Sequence, residues 1–493
     1  MKRSVSLLLA FLALLSAFTA CSESKEKTDN PLSADPTVSD PESADIPETE
    51  AQPEDDYIHD DIPDTDFGGT TVRFVTPTWY NASSFFYSFE LNGEAVNDAF
   101  YNQRMEIQDR FNVNVDLTVV DDEAGGTHLE QDINNLVAAG DPAYDLVYNG
   151  DGPIARNAIN GDFLNLRSMS SIDFAKPWFA GSSDVFTIGG KLFFTSNAFS
   201  ISSIYMNDVL AINKDLAENL GLTVPYDKVR AGTWVMDDLI AMTDGVNQDL
   251  NGDGKMTEED QYGFLTQYYS EMCIQSNLGG SMITKDENGR LAFSADQERV
   301  VSIVDQYAKL IENGNDTFGA TNEGGAEVFG RGNSLFSYLE ARIVYSKVRS
   351  YDVNFGILPF PKYNEDQQEY SAAGYDIYWA IPLTTLNTDV AGTVVCAMSC
   401  YNYNQIVPLV WEVILGGKLS DMPDDADMFR IMRDVQYVDL GYACSMMKSD
   451  LQELVFLLYY TKPGQVASAL KKQEKLANRV LENLNKTFDS LGE

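Results

Sequence analysis

From Thr71 onward the chain alternates short β-branched strands with amphipathic helices, and that alternation leaves few architectures open. Thr71–Val75 reads as a strand ending at Pro77 and the aromatic pair Trp79 and Tyr80. Asn97–Phe111 carries apolar residues at helical spacing, and Val113–Leu117 alternates as a half-buried strand does. Strand, helix, strand is one βαβ unit. A helix over His128–Ala139 then leads through Gly140-Asp141-Pro142 into Tyr144–Tyr148, an apolar strand stopped by Asn149-Gly150-Asp151-Gly152. Further strands are expected over Lys191–Thr195, Ser202–Met206, Val353–Pro359 and Ile377–Ile381. Helices are expected over Lys214–Leu220, from Gly232-Thr233-Trp234 to Met242, and through the carboxyl third to a last one near Ala467–Phe488. Such alternation predicts an α/β architecture. Ligands of open α/β sheets lie beyond the carboxyl ends of strands, which singles out Trp79, Tyr80, Asn149 and Asp151.

The amino terminus has a separate role. Lys2 and Arg3 precede an apolar run from Val5 to Phe18 and a small-residue exit at Thr19-Ala20, the layout of an export signal too short to span a bilayer as a mature helix. Phe18-Thr19-Ala20-Cys21 resembles a bacterial lipobox, which implies cleavage before Cys21 and lipid on its thiol. Two acyl chains would tether the body firmly without spanning. From Ser22 to about Asp66 the chain is rich in Pro, Ser, Thr, Asp and Glu, with Lys25 and Lys27 its only basic residues. Such a segment cannot bury enough apolar area to offset its ordering entropy. The expectation is a signal peptide over 1–20, a lipidated acidic stalk over 21–66, and an extracytoplasmic protein anchored to the cell membrane.

The remaining stretch of about 425 residues exceeds what one hydrophobic core sustains, so two lobes are expected. A formal charge of −41 argues against nucleic acid or an anionic membrane surface as partner. Cys273, Cys396, Cys400 and Cys444 are scattered without a CxxC. Cys396 and Cys400 fall i, i+4 on a predicted helix over Val390–Cys400, which suits buried thiols better than a disulfide.

Enzyme chemistry finds little footing. The two histidines, His59 in the stalk and His128 on a helix, cannot build a multi-histidine zinc site and make a histidine-dependent triad hard to assemble. There is no GxSxG and no GxxxxGK[ST]. Paired carboxylates for glycoside hydrolysis carry little weight among 75 acidic residues, where suitable pairs arise by chance.

The sharpest motif is Asp249-Leu250-Asn251-Gly252-Asp253-Gly254-Lys255 through Asp260, which follows a calcium loop. Asp249, Asn251 and Asp253 supply oxygens at loop positions 1, 3 and 5, Gly254 the turn, Lys255 its carbonyl, and Asp260 position 12, where Glu is usual. A structural calcium clip, a calcium sensor and an empty acidic turn all fit the pattern. The clip is the leading reading because no second loop pairs with this one.

Asp208–Leu216, the Gly232-Thr233-Trp234 helix start, the Asp249–Phe264 segment and Phe355–Lys362 together resemble family 1 extracellular solute-binding proteins of ABC importers. Glu94–Asp98 and Lys176-Pro177-Trp178 are similar to phrases in long lipoprotein members from Gram-positive gut anaerobes. The resemblance covers nearly the whole mature chain and rests on the order and spacing of these phrases. It implies a two-lobed, periplasmic-binding-protein-like α/β fold of class II with a hinge between the lobes. Lobe 1 would take 67–199 and return over 366–415; lobe 2 would take 200–365, and 416–493 would belong to lobe 2 and the carboxyl-terminal helices. Ser200 would then lie near a crossing, and Gln267, Tyr268, Tyr269 and Glu271 just past a strand over Tyr262–Thr266. Tyr338, Glu340 and Arg342 would follow a strand over Ser334–Ser337, while Tyr375, Asp376 and Trp379 would surround a second crossing. The implied function is capture of a small solute, a sugar or oligosaccharide, for importer permease subunits. The competing classes are a secreted surface glycosidase and a structural calcium-bound surface protein.

Overall fold

The computed structural model of the chain describes residues 57–312, 314–315, 322–415 and 423–492. The signal peptide, Cys21 and the stalk up to residue 56 lie outside the described residues. Strands among the described residues are β1 (Thr70–Pro77), β2 (Val113–Val120), β3 (Leu146–Gly150), β4 (Asp208–Asn213), β5 (Tyr262–Leu265), β6 (Ile283–Lys285) and β7 (Leu291–Phe293). They continue with β8 (Gly314–Asn315), β9 (Ser334–Glu340), β10 (Phe355–Leu358), β11 (Ala372–Gly374), β12 (Ile377–Ala380) and β13 (Gln436–Val438).

One lobe is built on the sheet β12-β3-β1-β2, in which β1 runs parallel to β2 and β3 while β12 is antiparallel. Val72, Phe74 and Val75 of β1 are buried, and Arg73 between them is held by the Asp145 carboxylate at 2.9 Å. Helix Ala95–Phe111 sends Phe100, Ile107 and Phe111 into this core. It also packs on helix Thr388–Tyr401, whose Val390–Cys400 stretch is buried throughout. Gln103 joins the two helices, its amide donating to the Met398 carbonyl at 3.1 Å. Cys273, Cys396, Cys400 and Cys444 are free and buried, as the i, i+4 spacing and scatter predicted.

The second lobe carries the sheet β10-β4-β9-β5-β8, with β4 antiparallel to both neighbours and β5 parallel to β9 and β8. Trp234, fully buried, anchors it by donating its indole N–H to the Pro359 carbonyl at 3.2 Å. The lobes are linked where Asn207 bridges Gly374 and β11 pairs with β13. Residues 366–371 still pack on the second lobe: Tyr370 donates its hydroxyl to the Val229 carbonyl at 3.1 Å. The return to the first lobe therefore lies at β11 and β12, later in the chain than position 366.

Several local expectations change. Ser202–Tyr205 is a single helical turn, closed by the Met206 N–H donating to the Ser202 carbonyl at 2.8 Å, because Ser202 is bound to Asp376 at the crossing. Lys191–Thr195 bends at Phe193 and forms no strand: apart from a turn bridge at Lys191 it bridges only at Thr195, to Trp379, so no ladder forms. After β3 there is no separate turn, since helix Asp151–Asn160 begins at once. Residues 57–66, expected as the end of the stalk, run along the first lobe, where Arg110 binds Asp60 and Asp64, each at 2.7 Å. No helix among the described residues is long and apolar enough to cross a membrane.

Candidate functional site

Past the end of β1 the chain turns sharply through Tyr80 (φ 54°) and Asn81 (φ 53°), left-handed conformations that L side chains adopt at a cost. The turn stacks the Tyr80 ring on Trp79 at 4.4 Å between centroids. Trp79 in turn lies on Gly150 at the end of β3, so closely that a Cβ there would sit 2.8 Å from the indole. Only glycine admits that approach. The Arg342 guanidinium, from the helix that follows β9, covers the Tyr80 ring at 4.4 Å and binds the Glu340 carboxylate at 2.9 Å. Glu340 accepts the Tyr375 hydroxyl, and the Tyr375 ring meets that of Tyr442 at 6.4 Å. Tyr442 donates its hydroxyl to Asp151, next to Gly150. These contacts close a ring: Gly150, Trp79, Tyr80, Arg342, Glu340, Tyr375, Tyr442, Asp151. Its members come from the first lobe, the second lobe, the crossing and the carboxyl-terminal helices.

Two further features give the site its electrostatics. Asp208, paired in register with Glu340 across β4 and β9, is buried, and neither of its oxygens has a hydrogen bond of good geometry among the described residues. Burial, reinforced by the Glu340 charge, pushes its carboxyl up to about 7. Asp376 is also buried. It accepts the Ser202 hydroxyl and the Ile377 N–H, and burial lifts it to about 6. The Gln267 amide nitrogen, the Ser270 hydroxyl and the Arg342 Nε are likewise buried without a partner of good geometry among the described residues.

Of the residues singled out from sequence, Trp79, Tyr80, Asp151, Glu340, Arg342 and Tyr375 meet in the ring. Asn149 sits behind it, its amide donating to the Gly126 carbonyl at 3.0 Å and its oxygen accepting the Gly150 N–H at 2.8 Å. Ser200 and Asp376 join through Ser202 at the crossing. Gln267 precedes helix Tyr268–Asn277, which Tyr268 and Tyr269 begin. Glu271 is held inside the second lobe by the Tyr307 hydroxyl at 2.8 Å, and Tyr338 accepts the Asn277 amide at 3.0 Å while packing on Phe360. Trp379 belongs to the first lobe's core: its ring is 1% exposed and its N–H is bound to Asn197 at 2.7 Å. Sequence reasoning missed Gly150, Asp208 and Tyr442. The glycine stood in a segment read as a turn, and Tyr442 arrives from a distant helix with no local signal.

The acidic loop lies before β5, at the end of that strand away from Gln267. Asp249 accepts the N–H groups of Gly252 and Gly254, Asn251 that of Asp253, and Asp253 that of Lys255. Asp260 is buried, and its oxygens accept the Leu250 and Thr257 N–H groups and the Thr257 hydroxyl. Burial opposes its charge, but these donors prevail and hold its pKa below the ordinary value. Among the described residues, no three His, Cys, Asp or Glu side chains gather as a metal cluster.

Comparison with solved structures decides the architecture. The galacto-N-biose/lacto-N-biose I-binding protein of an ABC transporter from Bifidobacterium longum matches with a TM-score of 0.55 at 13% identity, over 85% of this chain and 98% of that one. The fold is that of the two-lobed solute-binding proteins of ABC transporters. An ABC substrate-binding protein from Listeria monocytogenes in complex with cycloalternan matches at 0.52 and 12% identity, over 85% of this chain and 99% of the other. The GacH receptor of Streptomyces glaucescens gives 0.51 and 14%, over 86% and 100%. No family model matches the sequence, and no curated protein matches it. In a solute-binding fold the lobes close about the crossing segments, and here the ring of contacts runs from one lobe to the other beside Tyr375 and Asp376.

Proposed function

We propose that this chain is the solute-binding component of an ABC importer and that it captures a carbohydrate between its lobes. The observation that carries this reading is the ring, which brings the stacked Trp79 and Tyr80 of one lobe against Arg342 and Glu340 of the other. Sugars present flat apolar faces and many hydroxyls, and stacking rings beside planar charged groups answer both. The Bifidobacterium longum structure holds lacto-N-biose and the Listeria monocytogenes structure cycloalternan, both carbohydrates. Permease subunits in the membrane are the partners this role requires, and lipid on Cys21 would keep the protein beside them, outside the cytoplasm.

The same reading treats the acidic loop as a structural calcium clip. Asp249, Asn251 and Asp253 with the Lys255 carbonyl would hold the ion, while Asp260 braces the loop from within. The role is structural, ordering one loop.

A thermal-shift panel of monosaccharides, oligosaccharides and peptides tests the function, with bound ligand recovered and chromatographed. Stabilisation by a sugar recovered intact supports it. Shortened product would favour a glycosidase, and stabilisation by peptides alone would overturn the carbohydrate reading.

A further inference from the structure

Asp208 and Glu340 stand directly opposite each other in the antiparallel pair β4 and β9, so their side chains rise from one face of the sheet with Cβ atoms about 5 Å apart. They are 2% and 1% exposed. Two carboxylates so placed cannot both ionise without cost, because like charges opposite one another in a ladder repel and burial withholds the water that would screen them. Glu340 has a counter-ion in Arg342 at 2.9 Å and also accepts the Tyr375 hydroxyl. Asp208 forms no ion pair among the described residues, and neither of its oxygens has a hydrogen bond of good geometry there.

The other groups that face Asp208 are a serine, a thiol and phenols. Helix Tyr268–Asn277 brings Ser270 and Cys273, β9 brings Tyr338, and the crossing brings Tyr375. β10 and β11 carry no titratable side chain. Burial pushes the Cys273 thiol and the Tyr338 and Tyr375 hydroxyls up, so all three keep their protons. Two further buried acids have donors of their own: Asp439 accepts the Ser281 hydroxyl and the Tyr442 N–H, and Asp376 accepts the Ser202 hydroxyl and the Ile377 N–H. One proton on Asp208 leaves the facing pair with a single negative charge, which the Arg342 guanidinium balances.

The pair sits where the lobes communicate. Asn207, one residue before Asp208, bridges Gly374, one residue before Tyr375, and Arg342 reaches from Glu340 to the Tyr80 ring of the first lobe at 4.4 Å. When the proton leaves, a second negative charge faces Glu340, and water relieves the repulsion once Arg342 and Tyr80 part. We propose that lobe closure is proton-linked: the Asp208–Glu340 pair holds one proton while Arg342 covers Tyr80 and gives it up more readily when the lobes open, so acid favours closure and alkali opening. By reciprocity, a ligand that closes the lobes draws a proton from solvent. The link lies in the fold and holds whichever solute is captured.

Small-angle scattering of the purified, unliganded protein between about pH 5.5 and about pH 8.5 tests it. The radius of gyration should grow as pH rises, with a midpoint near 7. One linked proton lowers the closed-to-open ratio by at most about tenfold per pH unit. Asp208→Asn, which has no proton to release, should keep the smaller radius throughout, while Asp376→Asn should respond as the wild type does. Asp208→Ser replaces Asp208→Asn if the latter does not fold. A wild-type radius that ignores pH overturns the inference. So does an Asp208 variant whose radius grows with the wild type's or is large throughout, for the expansion would then come from general repulsion in a chain of charge −41. Loss of the response in Asp376→Asn would assign the proton to Asp376 and overturn it equally. No sugar is added, so failure here leaves the carbohydrate reading standing.

Discussion

The Arg342 guanidinium lies over the Tyr80 ring, 4.4 Å from its centroid, and so joins a side chain at the head of one lobe to a side chain behind β9 of the other. Cation and ring attract by about 0.5–2 kcal/mol, depending on how far water is excluded. Because Glu340 holds Arg342 and Tyr375 holds Glu340, the pair is fixed from the crossing outward. Arg342→Gln should shift the unliganded protein toward an open form, seen as a larger radius of gyration in small-angle scattering. An unchanged radius would mean that the contact does not hold the lobes.

Two tryptophans predict opposite outcomes. Trp79 is half-buried, lying on Gly150 and stacked on Tyr80, so Trp79→Ala should weaken sugar binding at least tenfold, about 1.4 kcal/mol, with little change in stability. Trp379, buried beside Phe199 and bound to Asn197, should instead cost about 3–5 kcal/mol of stability when cut to alanine. Measuring melting and affinity on both variants separates the roles. A destabilised Trp79→Ala with unchanged affinity would remove Trp79 from the site.

Those two residues show how far the sequence could be read. Strand ends were legible from alternation and turn residues, and the rule that ligands lie beyond them pointed to Trp79, Tyr80, Asn149 and Asp151, while Glu340 and Arg342 came from the family resemblance; all but Asn149 meet in the ring of contacts. Trp379 was misplaced because β12 is buried on both faces, with Tyr378 and Trp379 equally covered, and period-two patterning vanishes in such a strand. Tyr442 was invisible for another reason. Its approach to Asp151 depends on the packing of helix Leu440–Met447 against helix Asp151–Asn160, nearly three hundred residues away in sequence.

Acidity should tune stability through Asp208. Its carboxyl is raised from 3.8 to about 7, so the folded protein keeps a proton that the unfolded chain releases. The resulting stabilisation is whole below about pH 4 and is lost as pH rises through about 7. Asp208→Asn keeps a neutral side chain there and should gain on the wild type between pH 4.5 and pH 8, by at most on the order of 4 kcal/mol. Urea unfolding at both pH values reads the difference, and a gap that does not change with pH would refute the assignment.

Calcium removal should lower the melting temperature without unfolding the protein, since the loop is one short element before β5. Binding to the folded state alone stabilises by RT ln(1 + [L]/Kd). Asp253→Ala should match the chelator effect and make chelation inconsequential. Identical melting with and without calcium would leave the loop an empty acidic turn, held by the N–H groups that Asp249, Asn251, Asp253 and Asp260 accept.

Hydrogen exchange of the purified protein, with and without a sugar found to stabilise it, tests the central claim most directly. Bound sugar should slow exchange together at Trp79–Asn81, Gly150–Asp151, Glu340–Arg342 and Tyr375–Asp376, the segments that meet in the ring. Protection confined to one lobe, or lying elsewhere on the molecule, would contradict capture between the lobes.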